Sequence, residues 1–351
     1  MSNRITKKAV YIMIVVLLTF ILTIPVSAMD FQVRPELPEN QRANGSTFFD
    51  LVVTPGQRQD LVIMITNTSE TDIVVLVEAF TASTGRNGQI NYTSRGDLDE
   101  SLRYDFEDLV FIPQNHFGIP AESSVEVVIS FEAPREEFQG AILGSIRVLK
   151  EAGDDENENP GAMFARVNAV RLVNNEDAEN IPVNLALGEI NAELVNHRAS
   201  IVVPIRNTQP RMVLNASATA KIYHGSTNEF IFEYDLERLD FAPNSVFPFS
   251  FVDEEGFGIE AGDYRAVINV EHEDVAWLFE QSFVITEQAA QVVNEGALNQ
   301  QHGFERPAPT DQGLTMWMVI AIAGGGAILL GIIILIVKLN RRRPAFPPIR
   351  R

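Results

Sequence analysis

The chain has 351 residues, 47 of them acidic against 27 basic, with a net charge of −20 and no cysteine. The missing cysteines exclude disulfides, thiolate metal sites and cysteine nucleophiles. The acidic balance argues against nucleic acid as a partner, because phosphates and carboxylates repel.

Residues 1–28 read as a secretory signal peptide. Arg4, Lys7 and Lys8 precede the apolar run Ala9 to Ile24, Pro25 breaks it, and Val26-Ser27-Ala28 supplies the small-residue cleavage pattern. Residues 29–150 read as β. Phe49, Leu51 and Val53 alternate, as do Leu61, Ile63 and Ile65, and Val125, Val127, Ile129 and Phe131. Alternation with period two places one row of side chains in a core. Arg86-Asn87-Gly88-Gln89 is a hairpin signal. Phe138 to Leu149 supplies a last strand, with Gly140 and Gly144 where bulges or close packing are expected.

Residues 151–162 carry Glu151, Asp154, Asp155, Glu156 and Glu158 together with Gly153, Gly161 and Pro160 nearby. They read as a solvated acidic linker that lets two domains move separately. Residues 163–287 then form a second β run, with strands expected over 165–173, 181–189, 200–206, 214–223, 230–236, 246–252, 264–270 and 277–285. The two halves echo each other. Val62-Ile63-Met64-Ile65-Thr66-Asn67-Thr68 matches Val202-Val203-Pro204-Ile205-Arg206-Asn207-Thr208, and Ile119-Pro120-Ala121-Glu122-Ser123-Ser124 parallels Phe241-Ala242-Pro243-Asn244-Ser245. The expected fold is all-β, with two immunoglobulin-like antiparallel β-sandwich domains plus one C-terminal transmembrane helix.

Residues 288–313 read as a juxtamembrane tether, partly helical over 288–301 and stiffened by Pro307 and Pro309. Residues 314–337 carry no charge and reach about 36 Å as a helix, enough to cross a bilayer. Ala323, Ala327 and Gly331 recur there every four residues, a small-residue face along which two such helices can associate. Lys338 and Arg341 to Arg343 open a basic tail, 338–351, whose charge places it in the cytoplasm. The expected location is the plasma membrane, single-pass, with the ectodomains outside, within or near a cell wall. Nine basic residues lie in the signal, anchor and tail, leaving 18 basic against 47 acidic residues over 29–313, a net of −29.

Catalytic patterns are missing. There is no His-Glu-x-x-His, no Gly-x-Ser-x-Gly and no phosphate-cradling glycine loop. Glu271-His272-Glu273-Asp274 reads as a solvated hairpin rather than a metal site. The chain is expected to be no enzyme and to need no cofactor or metal. Aromatic side chains are the remaining binding candidates, since sugar rings lay their C–H faces on them. Tyr92, Tyr104, Phe106 and Phe111 lie in the less regular part of the first domain.

Several stretches carry a family likeness: Leu37-Pro38-Glu39-Asn40-Gln41, Phe49-Asp50-Leu51 with Val53 and Pro55-Gly56-Gln57, Asp99 with Ser101-Leu102, Phe138 with Gly140 and Ile142-Leu143-Gly144, and in the second run Asn196 with Arg198-Ala199, then Ile205 and Asn207. In these the chain resembles the WxL-interacting proteins of Gram-positive bacteria, and the terminal helix and basic tail match too. The resemblance implies a first domain that binds peptidoglycan, a second that binds host extracellular proteins, and WxL-domain surface proteins as partners. It identifies no contact residue. The other functions open to the sequence are a non-catalytic scaffold or substrate-presenting subunit of an exported enzyme or transport system, and an enzyme.

Overall fold

A computed structural model describes residues 30–151, 164–175, 180–252 and 258–303. The signal peptide, the 314–337 span with Ala323, Ala327 and Gly331, and the basic tail lie outside the described residues. No helix among the described residues is long and apolar enough to cross a membrane. The chain divides into two compact units, 1–296 and 297–351, and both β regions belong to the first.

The architecture is all-β, as the alternation required. The N-terminal sandwich opens with β1 (Phe31–Glu36), β2 (Phe49–Val52), β3 (Arg58–Asn67) and β4 (Ile73–Thr81). A small hairpin of β5 (Ser83–Thr84) and β6 (Ile90–Asn91) follows, then a single helical turn, α1 (Phe106–Leu109). The sandwich continues with β7 (Val110–Phe111), β8 (His116–Ile119), β9 (Ser124–Glu132), β10 (Ala141–Lys150) and β11 (Ala165–Val173). One sheet runs β1-β3-β9-β7 and the other β2-β11-β10-β4-β8. Leu61, Ile63, Ile65, Val127 and Ile129 from the first sheet meet Leu51, Val75, Ile146 and Leu172 from the second in one buried core.

The strand at 165–173 forms where expected but joins the other domain's sheet. β11 pairs antiparallel with β10 along its whole length and parallel with β2. The acidic stretch therefore joins two neighbouring strands of one sheet, although residues 152–163 themselves lie outside the described part. An ion pair explains the placement. Arg171 of β11 donates from Nε and Nη2 to Asp50 of β2 at 2.8 and 2.5 Å, and both side chains are buried. Such a pair is tolerated inside a protein only when its hydrogen bonds are made, and Asn44 Nδ2 donates a further one to Asp50.

The second sandwich contains β12 (Leu185–Leu187), β13 (Asn191–Val195), β14 (Arg198–Asn207), β15 (Val213–His224), β16 (Phe230–Phe241), β17 (Ser245–Val252), β18 (Gly262–His272) and β19 (Val275–Ile285). β14 pairs with β12, β13 and β17, and faces a sheet ordered β16-β15-β18-β19. Phe241, Phe247, Phe249 and Phe251 fill its core edge-on or tilted to one another. Only 185–187 of the expected 181–189 strand forms, while β16 runs on to Phe241. Helix α2 (Glu287–Gly303) follows β19. The stretch read as a tether thus begins by docking, since Ala290 and Val293 are buried in the second core and Asn294 exchanges hydrogen bonds with the Ile259 backbone.

The repeat legible in the sequence is one structural device used twice. Asn67 is buried and donates to the carbonyls of Thr71, Ile119 and Pro120. Asn207 is buried in the second sandwich and donates to those of Arg211 and Ala242. Each echo pair is thereby a tie between the end of one strand and the turn before another.

Candidate functional site

The sandwiches meet over a built junction. The β5–β6 hairpin, which the Asn87-Gly88 turn announces, reaches onto the second sandwich. Thr84 and Ser245 hydroxyls lie 2.6 Å apart, the Ala242 amide donates to Thr84 Oγ1, and the Asp240 amide donates to the Gly88 carbonyl. Ala82, Leu143 and Ala242 form a small buried apolar cluster there, with Ile90, Tyr92 and Met212 packed against it. Gly140 holds a left-handed φ of +73°, and a Cβ on it would sit 2.0 Å from the Pro210 carbonyl oxygen. Glycine alone permits both that conformation and that approach.

The polar centre of the junction is Asp99. It is buried, and Arg206 grips it from Nε at 2.5 Å and Nη2 at 3.3 Å while also reaching Glu100. Burial opposes the charge on Asp99, but the hydrogen bonds from Arg206 and Ser101 outweigh it and hold its carboxyl below the ordinary value of 3.8. Hydrogen bonds to Asp99 and then to Glu100 raise Arg206 above its usual range. Asn244, in a left-handed turn, donates to Ser101 and accepts from the Asp99 amide through its carbonyl. Strand pairing, an ion pair and an apolar cluster thus connect the two domains.

Beside this junction lies a cleft of about 420 Å³. Arg103, Tyr104, Phe138 and Gln139 line it from the first sandwich, and Thr208, Pro210 and Asn244 from the second. Tyr104 and Phe138 meet edge-on at 6.1 Å, and the Arg103 guanidinium lies 5.1 Å above the Tyr104 ring. A face for apolar C–H groups and amide or hydroxyl groups for peptide-like atoms thus converge in one place, beside an Arg103 guanidinium that is paired with Glu136 and near Glu137.

The four aromatic candidates do not form one site. Tyr104 lines this cleft. Phe106 is fully buried in the first core, because Gly144 leaves its ring room: a Cβ at 144 would fall 2.1 Å from it. Tyr92 belongs to the junction cluster and borders a shallower depression with Asn91 and Val167. Burial pushes its phenol up to about 12, against the opposing charge of Arg171. Phe111 is 66% exposed on the far sheet, beside Arg58 and Glu132. Sequence reasoning missed Arg103, Phe138 and Asn244, whose proximity arises only from folding. Glu271 to Asp274 span the tight β18–β19 turn, where His272 is buried rather than solvated, and among the described residues no acidic or histidine cluster has metal-binding geometry.

Two family models match in order. Residues 31–150 match the WxL Interacting Protein peptidoglycan binding domain, and residues 161–295 match the WxL Interacting Protein host binding domain. The chain belongs to the WxL-interacting proteins. Both matched modules are binding domains, which supports a cell-surface binding protein. In this WxL-interacting protein the boundary between the modules cuts between β10 and β11, so the host-binding module's first strand lies in the peptidoglycan-binding module's sheet. Comparison with curated proteins gives no match. Similar solved structures include the YadV chaperone (10% identity, 73% of this chain and 100% of that chain, TM-score 0.29). The Escherichia coli chaperone DraB is another (14% identity, 72% and 98%, TM-score 0.24), as is PapD-like domain 7 of human CEP192 (12% identity, 44% and 94%, TM-score 0.27).

Proposed function

We propose that this protein is a membrane-anchored, non-enzymatic surface protein of two immunoglobulin-like sandwiches. It attaches to peptidoglycan through the junction cleft and presents its second sandwich to WxL-domain surface proteins and host extracellular proteins. The signal-like start, the uncharged 314–337 span and the basic tail support a single-pass anchor with both sandwiches outside. The observation that carries the wall-binding reading is the convergence of Arg103, Tyr104 and Phe138 with Thr208 and Asn244. Peptidoglycan offers sugar C–H faces and peptide amides together, which is what this lining can receive.

The strongly acidic surface disfavours attraction to anionic wall polymers, so binding rests on apolar and hydrogen-bond contacts and tolerates salt. Full-length protein in detergent is expected to sediment with purified sacculi stripped of anionic polymer, at low and at high salt. Tyr104→Ala is expected to weaken that binding about tenfold, the equivalent of one lost aromatic contact. Binding that survives both Tyr104→Ala and Arg103→Ala unchanged would place the wall site elsewhere.

A further inference from the structure

The outer edges of the β16-β15-β18-β19 sheet are treated very differently. β16 is guarded: Glu233, Asp235, Glu237 and Arg238 stud it, Arg238 has a left-handed φ, and its pairing with β15 slips register several times. Charges and bulges of this kind discourage a further strand from joining an edge. β19 has none of these protections. It pairs with β18 in eleven consecutive steps without a slip, has no proline, and carries Glu280 as its sole charged residue. Among the described residues no strand pairs with its other side.

The side chains of β19 are also incompletely covered. Leu278 is 73% exposed and Val284 64% on the outward face. On the inward face Trp277 and Phe279 pack on the core yet are only partly buried. The second sheet approaches here through β13, where Leu194 lies beside Gly296 of α2 and stays partly exposed. The seam between the sheets therefore leaves apolar surface that a further strand would cover, together with the unpaired backbone edge.

We propose that β19 is a strand-addition site for an extended segment of a partner protein, with apolar residues at alternate positions and Lys or Arg at its flanks. Backbone pairing with β19 supplies affinity, and alternate side chains descend onto Trp277 and Phe279. The basic flanks follow from charge: exposed Glu271, Glu273 and Asp274 stand at the β18–β19 turn, and exposed Glu189 follows Gly188, whose carbonyl accepts from Gln281 of β19. A second copy of this chain is disfavoured as the occupant by the net charge of −20 on each. This site is separate from the junction cleft, so either can fail alone.

The test uses full-length protein in detergent and a synthetic peptide of alternating Val and Thr, about nine residues long, flanked by lysines. A version with central prolines, which cannot pair along an edge, and a version flanked by glutamates serve as controls. Binding is followed by fluorescence anisotropy and backbone amide exchange. The lysine-flanked peptide is expected to slow exchange over 275–285 and not over 230–241. The two control peptides are expected to bind at least about tenfold more weakly, and Leu278→Lys with Val284→Lys to weaken the first peptide similarly. A melting temperature close to the parent's shows that this double variant is folded. The proposal is overturned by equal binding of the proline peptide, by protection at β16 instead, by no protection at millimolar peptide, or by protein that dimerises through β19 without peptide. Sacculus binding is unaffected in every case, which separates this site from the cleft.

Discussion

Asp99 and Arg206 bind each other across the two sandwiches, with Nε to Oδ2 at 2.5 Å and Nη2 to Oδ1 at 3.3 Å. Asp99 is buried, so its charge has no solvent to fall back on if Arg206 is removed. Arg206→Met is therefore expected to destabilise by about 3 kcal/mol, the range for stranding one partner of a buried pair. Because the pair spans the junction, thermal unfolding is expected to broaden or split into two transitions. A single sharp transition at the parent temperature would show that the pair does not couple the sandwiches.

Acid should act through the same carboxylate and through Asp50. Burial opposes ionisation of Asp50, but hydrogen bonds from Arg171 and Asn44 and the charges of Arg171 and Arg42 outweigh it, so its carboxyl also titrates below 3.8. Both groups bind protons more weakly folded than unfolded. Their stabilisation is fully present above the ordinary carboxylate value and is lost as pH falls through it towards the folded values. Melting temperature is expected to be level near neutrality and to drop below about pH 5. Asp99→Asn and Asp50→Asn should each lower stability at pH 7 and flatten the acid slope; an unchanged slope in both would contradict this assignment.

A chain cut at residue 150 loses a strand from inside the β2-β11-β10-β4-β8 sheet. It leaves β2 and β10 without β11, and Asp50 buried without Arg171. A 30–150 fragment is expected to be unfolded or aggregated by circular dichroism, whereas the 30–296 portion keeps every described strand pair. A cooperatively folded 30–150 fragment would mean that β11 is an accessory strand.

Asn67→Ala removes the side-chain donor from the carbonyls of Ile119 and Pro120, and Asn207→Ala removes it from that of Ala242, while the Ser123 and Ser245 hydroxyls still donate to Pro120 and Ala242. Each buried hydrogen bond lost costs about 0.5–1.5 kcal/mol. Both variants should lower the denaturant midpoint by comparable amounts, and Asn67→Ala by no less than Asn207→Ala. A midpoint unmoved by either substitution would show that the carbonyls find other donors.

Gly144→Ala puts a methyl group into the Phe106 ring, whose atoms lie about 2 Å from that position. Overpacking of this kind costs about 1–3 kcal/mol. Phe106→Leu on the same background is expected to restore part of the loss in a double-mutant cycle. Additive effects would show that the ring moves aside freely.

The period-two patterning of Leu61, Ile63 and Ile65, or of Val125 to Phe131, determines by itself that those stretches are strands with one buried face. A strand must turn alternate residues to opposite sides whatever surrounds it. The Asn67 and Asn207 echo is legible for a similar reason, since each device is local at one end and repeats with its strand. Composition likewise decides that no disulfide or thiolate metal site exists. Tertiary structure decided the rest. Ala165–Val173 reads as a strand in isolation, but its sheet was settled by Asp50, far upstream, which needs Arg171 to remain charged when buried. Phe106 looks like any exposed-loop aromatic until Gly144 opens space for it, and Tyr92, Tyr104 and Phe111 are neighbours in sequence that folding sends to different surfaces. Hydrophobic spacing reports which way a residue faces along its own element, while pairing partners, junctions and clefts depend on contacts between distant residues, and no local pattern encodes those.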